Sequence, residues 1–277
     1  YGIGDVTWID SNNNGVQDKG EEPLVGVTVT LFSVDGSGKQ TLVKTDINGD
    51  PVVPAVTNEQ GWYMFDNLPA GNYQVQFTLT KDQATKYIFT SLKAGKDGAV
   101  DSNANPVSGL SDLIVLDDSN KALDKEYRNG DFGASEGIDP TWDAGVVVKT
   151  YAIGDLVWVD TNRDGLQGET EVLSGVKVTL LNDKGDVIAT TETDKSGRYL
   201  FDKLPAGDYQ VKFELTKQQA AKYRFTTVNT GKNAGADSDA DTATGLTKVF
   251  KLDDNSVGLT KTYADQKFAA SEGIDPT

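Results

Sequence analysis

The chain has 277 residues, and its 42 acidic against 26 basic side chains give a formal net charge of −16 at pH 7. Such a charge repels nucleic-acid phosphates and anionic membranes, which excludes both as partners and favours cations. Cysteine and histidine are absent, so disulfides, thiolate nucleophiles and the commonest general base and zinc ligand are excluded. We therefore expect a protein that is not an enzyme. No apolar run is long enough for membrane insertion, and we expect any export signal or anchor to lie outside this segment.

The sequence repeats one pattern twice. Residues 1–10 return at 151–160, and residues 134–141 return at 270–277, so the offset changes from 150 to 136 along the chain. The change places extra residues in the first copy, and we interpret 47–57 as an elongated hairpin loop. We predict two domains, 1–150 and 151–277, the second lacking its last strand.

Apolar residues alternate with polar ones over several short stretches of each copy. Period-two alternation bounded by Gly, Asn and Asp is typical of half-buried antiparallel strands. Only 81–87 and 217–223 have a helix-like pattern. The predicted fold class is all-β, with a β-sandwich in each copy. In the first copy the alternating residues are Val27, Val29, Leu31, Tyr63, Phe65, Tyr73, Val75, Phe77 and Leu79.

An acidic loop follows the first predicted strand. Counted from Asp10, oxygen-bearing side chains fall at positions 1, 3, 5, 9 and 12, and a glycine stands at position 6. This is the spacing of an EF-hand loop, in which position 7 offers its backbone carbonyl and the final glutamate binds the ion with both oxygens. The predicted calcium ligands are Asp10, Asn12, Asn14, Val16 through its carbonyl, Asp18 and Glu21.

The second copy repeats this loop at 160–171, with Gly168 at position 9, where a water would replace the side chain. Both loops offer three carboxylates at ligand positions, so charge alone predicts no large difference in affinity. An all-oxygen set of ligands selects calcium over zinc or copper. The predicted ligands are Asp160, Asn162, Asp164, Leu166 through its carbonyl, and Glu171.

Ordinary turn chemistry is the alternative for both loops, because Asn, Asp and Gly are common in turns between strands. Both copies keep positions 1, 3, 5, 6 and 12 while the residues between them change. That repetition favours calcium. No helical pattern flanks either loop, so the resemblance to an EF-hand is limited to ligation.

A second acidic cluster is less specific. Residues 101–105 and 237–241 carry oxygen side chains at every second position, and alternate residues of an extended segment point to one side. A second cation site and a solvated loop are equally good interpretations. The candidate ligands are Asp101, Asn103, Asn105, Asp237, Asp239 and Asp241. Five other aspartates are more typical of turns or strand ends: Asp5, Asp97, Asp139, Asp143 and Asp155.

The order of the motifs resembles a known family. The chain combines Ile-Gly-Asp-x-x-Trp-x-Asp at 3–10, the acidic loop, Gly-x-Tyr-x-Phe-Asp-x-Leu-Pro-Ala-Gly-x-Tyr-x-Val-x-Phe at 61–77, and Asp-Ala-Gly at 143–145. In this it is similar to the B repeats of serine-aspartate repeat (Sdr-type) adhesins of Gram-positive bacteria. The resemblance implies two tandem prealbumin-like, Cna-B-type, Ig-like sandwiches that bind Ca²⁺. It also implies an extracellular, cell-surface location with a cell-wall anchor outside this chain.

The wider Cna-B class, by the same resemblance, carries a Lys–Asn isopeptide bond promoted by a glutamate. The lysine position is occupied here by Trp8 and Trp158, and the glutamate position by Phe77 and Phe213. We therefore expect no isopeptide bond, and calcium in the role of cross-link.

Three functions are compared. The leading hypothesis is a calcium-stiffened stalk whose partners are calcium ions and the neighbouring domains of the same chain. The second is an adhesion or carbohydrate-binding module that contacts a host protein or glycan through Trp62 or the loop 47–57, since Trp8 and Trp158 are expected in the core. A glycosidase with paired carboxylates is disfavoured, because the recurrent acids are already explained by the loops.

Overall fold

The computed structural model describes residues 1–168, 170–228, 236–263 and 267–276. It divides into two compact units, Tyr1–Val148 and Lys149–Thr277. Among the described residues of both units the regular elements are strands, apart from short helical segments, which confirms the predicted all-β fold class. None of the helices in these described ranges is long and apolar enough to cross a membrane.

Unit one contains two sheets. In chain order its strands are β1 (Gly2–Ile9), β2 (Thr28–Val34), β3 (Gln40–Leu42), β4 (Ala55–Val56), β5 (Trp62–Phe65), β6 (Gly71–Thr78), β7 (Tyr87–Phe89), β8 (Ile114–Leu116), β9 (Ile138–Asp139) and β10 (Ala144–Val148). One sheet has the order β5-β1-β10-β7, with β9 also paired to β1. The other has the order β3-β2-β6-β8, with β4 paired to β2.

The core of unit one lies on the inner faces of these strands. In the pairing of β2 with β6, Val29 lies opposite Phe77 and Leu31 opposite Val75. All four side chains are buried, whereas their neighbours along each strand are more exposed. The predicted alternation is therefore confirmed, because residues two apart in a strand face the same side of the sheet.

The first and last strands of unit one run parallel and lie side by side. Trp8 on β1 is paired with Gly145 on β10 and is completely buried, which confirms its predicted place in the core. A Cβ atom on Gly145 would lie 2.7 Å from the indole ring of Trp8 and 2.8 Å from Thr90. The glycine is needed because the indole packs directly against the backbone of β10.

The described residues of unit two also form two sheets. Its strands are β11 (Tyr151–Ile153), β12 (Lys177–Asn182), β13 (Val187–Glu192), β14 (Phe201–Leu204), β15 (Gly207–Glu214), β16 (Phe250–Leu252) and β17 (Gly273–Asp275). The sheet orders are β14-β11-β17 and β13-β12-β15-β16. Trp158 is only partly buried, unlike Trp8.

Two local predictions meet different outcomes. The helix-like stretches form short helices, α1 (Lys81–Ala84) and α2 (Lys217–Ala220), each opened by a capping box of Thr and Gln. The segment 47–57 is not only a loop, because it contains β4, which pairs with β2. In unit two the corresponding edge is one strand, β13, so the extra residues of the first copy divide this edge strand into β3 and β4.

We expect Gly145→Ala to destabilise unit one by about 1–3 kcal/mol, the usual cost of overpacking a core, because the new methyl group would overlap Trp8. Urea unfolding of the whole chain measures this, with unit two as the internal reference. Gly36→Ala is the control, since a Cβ there meets nothing within 4 Å. Wild-type stability of Gly145→Ala would contradict the packing argument.

Candidate cation-binding loops

The loop of unit one is organised around Asp10, which follows β1 directly. Its carboxylate accepts hydrogen bonds from the backbone N–H of Asn14 at 3.1 Å and of Gly15 at 2.8 Å, and from the hydroxyl of Thr90 at 2.5 Å. Gly15 has φ of +76°, and a Cβ there would lie 2.9 Å from the carbonyl oxygen of Ser91. The glycine at position 6 is thus required both by the turn and by the close approach of a neighbouring segment.

Glu21 closes the same loop. One carboxylate oxygen accepts the backbone N–H of Ser11 at 2.8 Å, and the other accepts the backbone N–H of Asp18 at 3.0 Å. Residues at the beginning and the end of the loop are therefore joined through one side chain.

Three further predicted ligands of unit one converge inside the loop. The side-chain amides of Asn12 and Asn14 donate to one oxygen of Asp18, at 2.8 Å and 2.7 Å. These two bonds lower the pKa of Asp18 below its ordinary value. The tertiary arrangement thus gathers oxygen-bearing side chains of positions 3, 5 and 9 at one place, although all three are exposed.

The loop of unit two repeats the first half of this arrangement. The Asp160 carboxylate accepts hydrogen bonds from the backbone N–H of Asp164 at 3.2 Å and of Gly165 at 2.9 Å, and from the Thr226 hydroxyl at 2.5 Å. Burial acts to raise the pKa of Asp160, but the hydrogen bonds from Thr226 and the loop amides lower it overall. Asn162 donates its side-chain amide to Asp164 at 3.0 Å.

The second half of the loop differs between the units. The backbone carbonyl of Glu171 accepts the N–H of Val159 at 2.9 Å. In unit one the backbone N–H groups of Ser11 and Asp18 donate to the Glu21 carboxylate. No described residue of unit two makes the equivalent hydrogen bonds to the Glu171 carboxylate. Residue 169 lies outside the described ranges.

The second acidic segment lies directly beside the loop in both units. Asp101 forms a bridge with Val16, and Asp237 forms the corresponding bridge with Leu166. The two segments are separated by about 70 or more residues in sequence, and backbone pairing brings them together. Asp101 is buried, and one of its carboxylate oxygens has no hydrogen-bond partner.

The members of the second cluster have separate roles. Asn103 is buried and accepts the backbone N–H of Asp143 at 2.8 Å. Asn105 and Asp241 are exposed, and each accepts two backbone N–H groups of the turn that follows it. Asn105 and Asp241 therefore cap turns and do not join Asp101 and Asp237.

Two aspartates expected at turns or strand ends instead lie within or beside the first strand of unit one, Asp5 half-buried and Asp143 buried. Asp143 is fully buried; one carboxylate oxygen accepts the backbone N–H of Val6 at 3.3 Å and the other has no partner. Burial, followed by the negative charge of Asp5, raises its pKa well above the ordinary value. Burial also raises the pKa of Asp5, against the opposing effect of the Tyr127 hydroxyl. The sequence offered one signal for Asp5, which belongs to a motif that recurs at Asp155.

Unit two has a different set of acids, in which Asp155 matches Asp5, whereas Asp239 and Asp275 align with Asn103 and Asp139. Asp155 is buried, and burial raises its pKa to about 6 against a hydrogen bond from the Tyr263 hydroxyl. The pKa of Asp239 is raised to about 6 by burial and then by the charges of Asp237, Asp155 and Asp275. Asp139, by contrast, is satisfied by four donors, and Asp97 caps a turn.

The chemistry of the loops fits a hard cation, because the converging groups are carboxylate and amide side chains. Within the described ranges no three His, Cys, Asp or Glu side chains form a group arranged to hold a metal ion. In each loop N–H and hydroxyl donors already bond to the carboxylate at position 1, Asp10 or Asp160. An ion would have to replace some of these hydrogen bonds.

The raised pKa values predict a pH dependence for unit two in the presence of a chelator. Asp155, Asp239 and Asp275 each have a folded-state pKa of about 6 against an ordinary value of 3.8. A carboxyl whose pKa is raised by folding contributes stability that is full below its unfolded pKa and is lost as the pH rises through its folded pKa. The free energy of unfolding should therefore increase as the pH is lowered from 7 to about 5.

Urea unfolding at several pH values measures this dependence. Asp155→Asn removes one of the three groups and should weaken the pH dependence, whereas Asp183→Asn, in an exposed turn, is the control. Unfolding free energy that is constant or falls between pH 7 and 5 would contradict the prediction.

Comparison with known proteins places these features in a family. The SdrD B-like domain family matches residues 1–130 and 151–264. The chain is 35% identical over 249 residues to serine-aspartate repeat-containing protein D of Staphylococcus aureus (strain Newman), covering 90% of the chain and 16% of that protein. It is 36% identical over 242 residues to serine-aspartate repeat-containing protein C of strain MRSA252, covering 87% and 22%. The chain spans less than a quarter of the length of these relatives.

Among solved structures, the Bacillus anthracis TIE protein is similar at a TM-score of 0.43 and 12% identity, over 90% of this chain and 30% of that one. A likeness of that size carries no functional argument. The family match covers most of both copies and confirms the resemblance read from the motifs. The chain therefore belongs to the SdrD B-like domain family and carries two of its domains, part of the B-repeat region of non-enzymatic Sdr-type surface adhesins.

Proposed function

We propose that the chain is a spacer of a bacterial cell-surface adhesin, with calcium-binding repeats at 1–150 and 151–277 that calcium stiffens. Its task is to project a ligand-binding region away from the cell wall, in the extracellular space. Family membership supports the adhesin setting. The partners are calcium ions and the neighbouring domains of the same protein.

One observation carries the calcium part of this proposal. Oxygen side chains at EF-hand spacing converge in the first loop, where Asn12 and Asn14 both contact Asp18 and where Glu21 joins the two ends. The second loop repeats the turn around Asp160 with the same donors. Carboxylate and amide oxygens at these positions are the ligands of calcium in proteins.

The second acidic segment extends the proposed site. Asp101 and Asn103 in unit one, and Asp237 and Asp239 in unit two, lie on the segment that bridges to the loop. A cation held between loop and segment would connect two parts of the chain that are distant in sequence. Asn105 and Asp241 are left out, because each caps the turn that follows it.

Calcium that binds only the folded chain stabilises it by mass action. At a calcium concentration a hundredfold above Kd the gain is about 2.7 kcal/mol per site. Extracellular modules of this kind bind with a Kd of roughly 10⁻⁴ to 10⁻³ M. A folded unit with net negative charge gains additionally, because the ion reduces repulsion between its carboxylates.

Glu21→Ala should remove most of the calcium-induced rise in the melting temperature of unit one, because the closing ligand is lost. Glu171→Ala should do the same for unit two only. Thermal unfolding with calcium and with chelator measures both, and Glu22→Ala is the matched control, since its side chain is exposed beside the loop. A wild-type chain that melts identically with calcium and with chelator would refute the proposed function.

The alternative is a module that contacts a host protein or glycan directly. Exposed apolar side chains in and near the segment found only in unit one favour it: Ile47 at 61%, Val53 at 67%, Val56 at 60% and Trp62 at 40% exposure. Against a role for Trp62, the guanidinium of Arg128 lies 3.7 Å from the centre of its ring.

A host ligand of this kind should be lost when the exposed segment is made polar. Ile47→Ser with Val53→Ser tests this in the whole chain, with Val187→Ser and Ile188→Ser in unit two as the matched control. The readout is binding to an array of host proteins and glycans. Equal binding by both variants would dismiss this segment as the contact surface.

A further inference from the structure

A guanidinium group lies beside the first-strand aspartate of unit one. Arg128 Nη2 is 3.4 Å from Asp5 Oδ1, and the same oxygen accepts the Tyr127 hydroxyl at 2.8 Å. The guanidinium carbon lies 3.7 Å from the ring centre of Trp62 and 4.6 Å from that of Tyr127. The charged side chains of Arg128 and Asp5 are only 20% and 18% exposed. An ion pair screened this far from water is stronger than one on the surface.

The backbone around this arginine supports a specific role. Arg128 and Asn129 both have positive φ, at 48° and 65°. Residues other than glycine rarely adopt this conformation unless surrounding contacts hold them there. The contacts with Asp5 and Trp62 are the ones that hold Arg128.

Two buried acids, Asp143 and Asp101, lie behind Asp5. Asp143 is fully buried with one unpartnered oxygen, and Asp101, also buried, has another. Carboxylates removed from water destabilise a fold unless hydrogen bonds or an opposite charge compensate them. Arg128 offsets the charge of Asp5, which itself raises the pKa of Asp143.

In unit two the arginine stands at a different position of the chain. Position 198 corresponds to 62, and position 264 corresponds to 128, so Trp and Arg in the first copy are replaced by Arg198 and Ala264 in the second. The guanidinium carbon of Arg198 lies 5.8 Å from the ring centre of Tyr263, whose hydroxyl donates to Asp155. Residue 264 lies outside the described ranges, and its identity alone enters the comparison. The arginine therefore occupies position 128 in the first copy and position 198 in the second. The hydrogen bond from a tyrosine hydroxyl to the first-strand aspartate is present in both.

We propose that each unit carries one guanidinium as a built-in counter-ion of its first-strand aspartate, from position 128 for Asp5 in unit one and from position 198 for Asp155 in unit two, and that it competes with calcium. The second half rests on the proposed function. Asp101 connects the two charges, because its segment is paired with Val16 of the loop on one side and its carboxylate lies near Asp143 on the other. A cation at the loop reduces the negative charge that the guanidinium neutralises. The stabilisation from the guanidinium is therefore smaller when calcium is bound, and calcium binds less tightly when the guanidinium is present.

Neutralising Arg128 tests the proposal in the whole chain. Arg128→Gln should lower the melting temperature of unit one clearly in chelator and much less in calcium, and should raise its calcium affinity about fivefold. Arg128→Lys keeps the charge and should stay close to wild type in both measurements. Lys125→Gln, which breaks an exposed ion pair with Glu136, is the control and should change neither.

The exchange between the copies provides a second test. Trp62→Arg combined with Arg128→Gln rebuilds the arrangement of unit two, and should recover stability in chelator that Arg128→Gln alone has lost. In unit two, Arg198→Gln should reproduce the chelator-sensitive loss. Thermal unfolding and calcium calorimetry measure all variants.

Two outcomes would overturn the inference: equal loss by Arg128→Gln in calcium and in chelator, or the same loss by Arg128→Lys, since either would assign Arg128 to ring stacking alone. A wild-type chain without any calcium response would instead refute the proposed function. The counter-ion role of Arg128 would then be tested in chelator alone, where the Arg128→Gln variant must be less stable than the Arg128→Lys variant.

Discussion

Burial of carboxylates beside the first strand is the constraint on which each unit depends. Asp5 and Asp143 in unit one, and Asp155 in unit two, lie where water is largely excluded, in a chain that already carries a net charge of −16. Each such group destabilises the fold unless a donor or a positive charge faces it. A tyrosine hydroxyl and an arginine face the first-strand aspartate of both units, and the surrounding strands keep these groups in place.

The strand pairings that bury these acids also build the cation loop. β1 ends at Ile9, and the next residue, Asp10, is fixed by a backbone bond to Val146 of β10 and by the hydroxyl of Thr90. In a helical EF-hand the flanking helices hold the ends of the loop, and here neighbouring strands do so. Such a framework leaves the loop little freedom to rearrange, because its ends belong to the core of the sheet.

The two units share one plan and differ in its details. The Glu21 carboxylate accepts hydrogen bonds from two backbone N–H groups of its loop, whereas no described residue makes the equivalent bonds to the Glu171 carboxylate. The arginine that faces the first-strand aspartate comes from different strands or turns in the two copies. The copies are therefore not interchangeable, although their carboxylate count at the loop is the same.

The sequence by itself determined the features that depend on local pattern. Period-two alternation indicated the strands and buried residues such as Val29 and Phe77, and EF-hand spacing selected the loop residues from Asp10 to Glu21. The motif order identified the family. All of these follow from neighbours along the chain, because side-chain direction alternates in a strand and the turn at Gly15 is specified by its own backbone.

Only the tertiary structure decided which distant groups meet. It placed Asp101 beside Val16 and Asp143 behind Asp5, it separated Asn105 from the cluster it had been assigned to, and it added β4 to the segment interpreted as a loop. It also left Trp158 less buried than Trp8. The physical reason is that burial and pairing across strands depend on residues far apart in sequence, and a single chain pattern carries no information on which of them become neighbours.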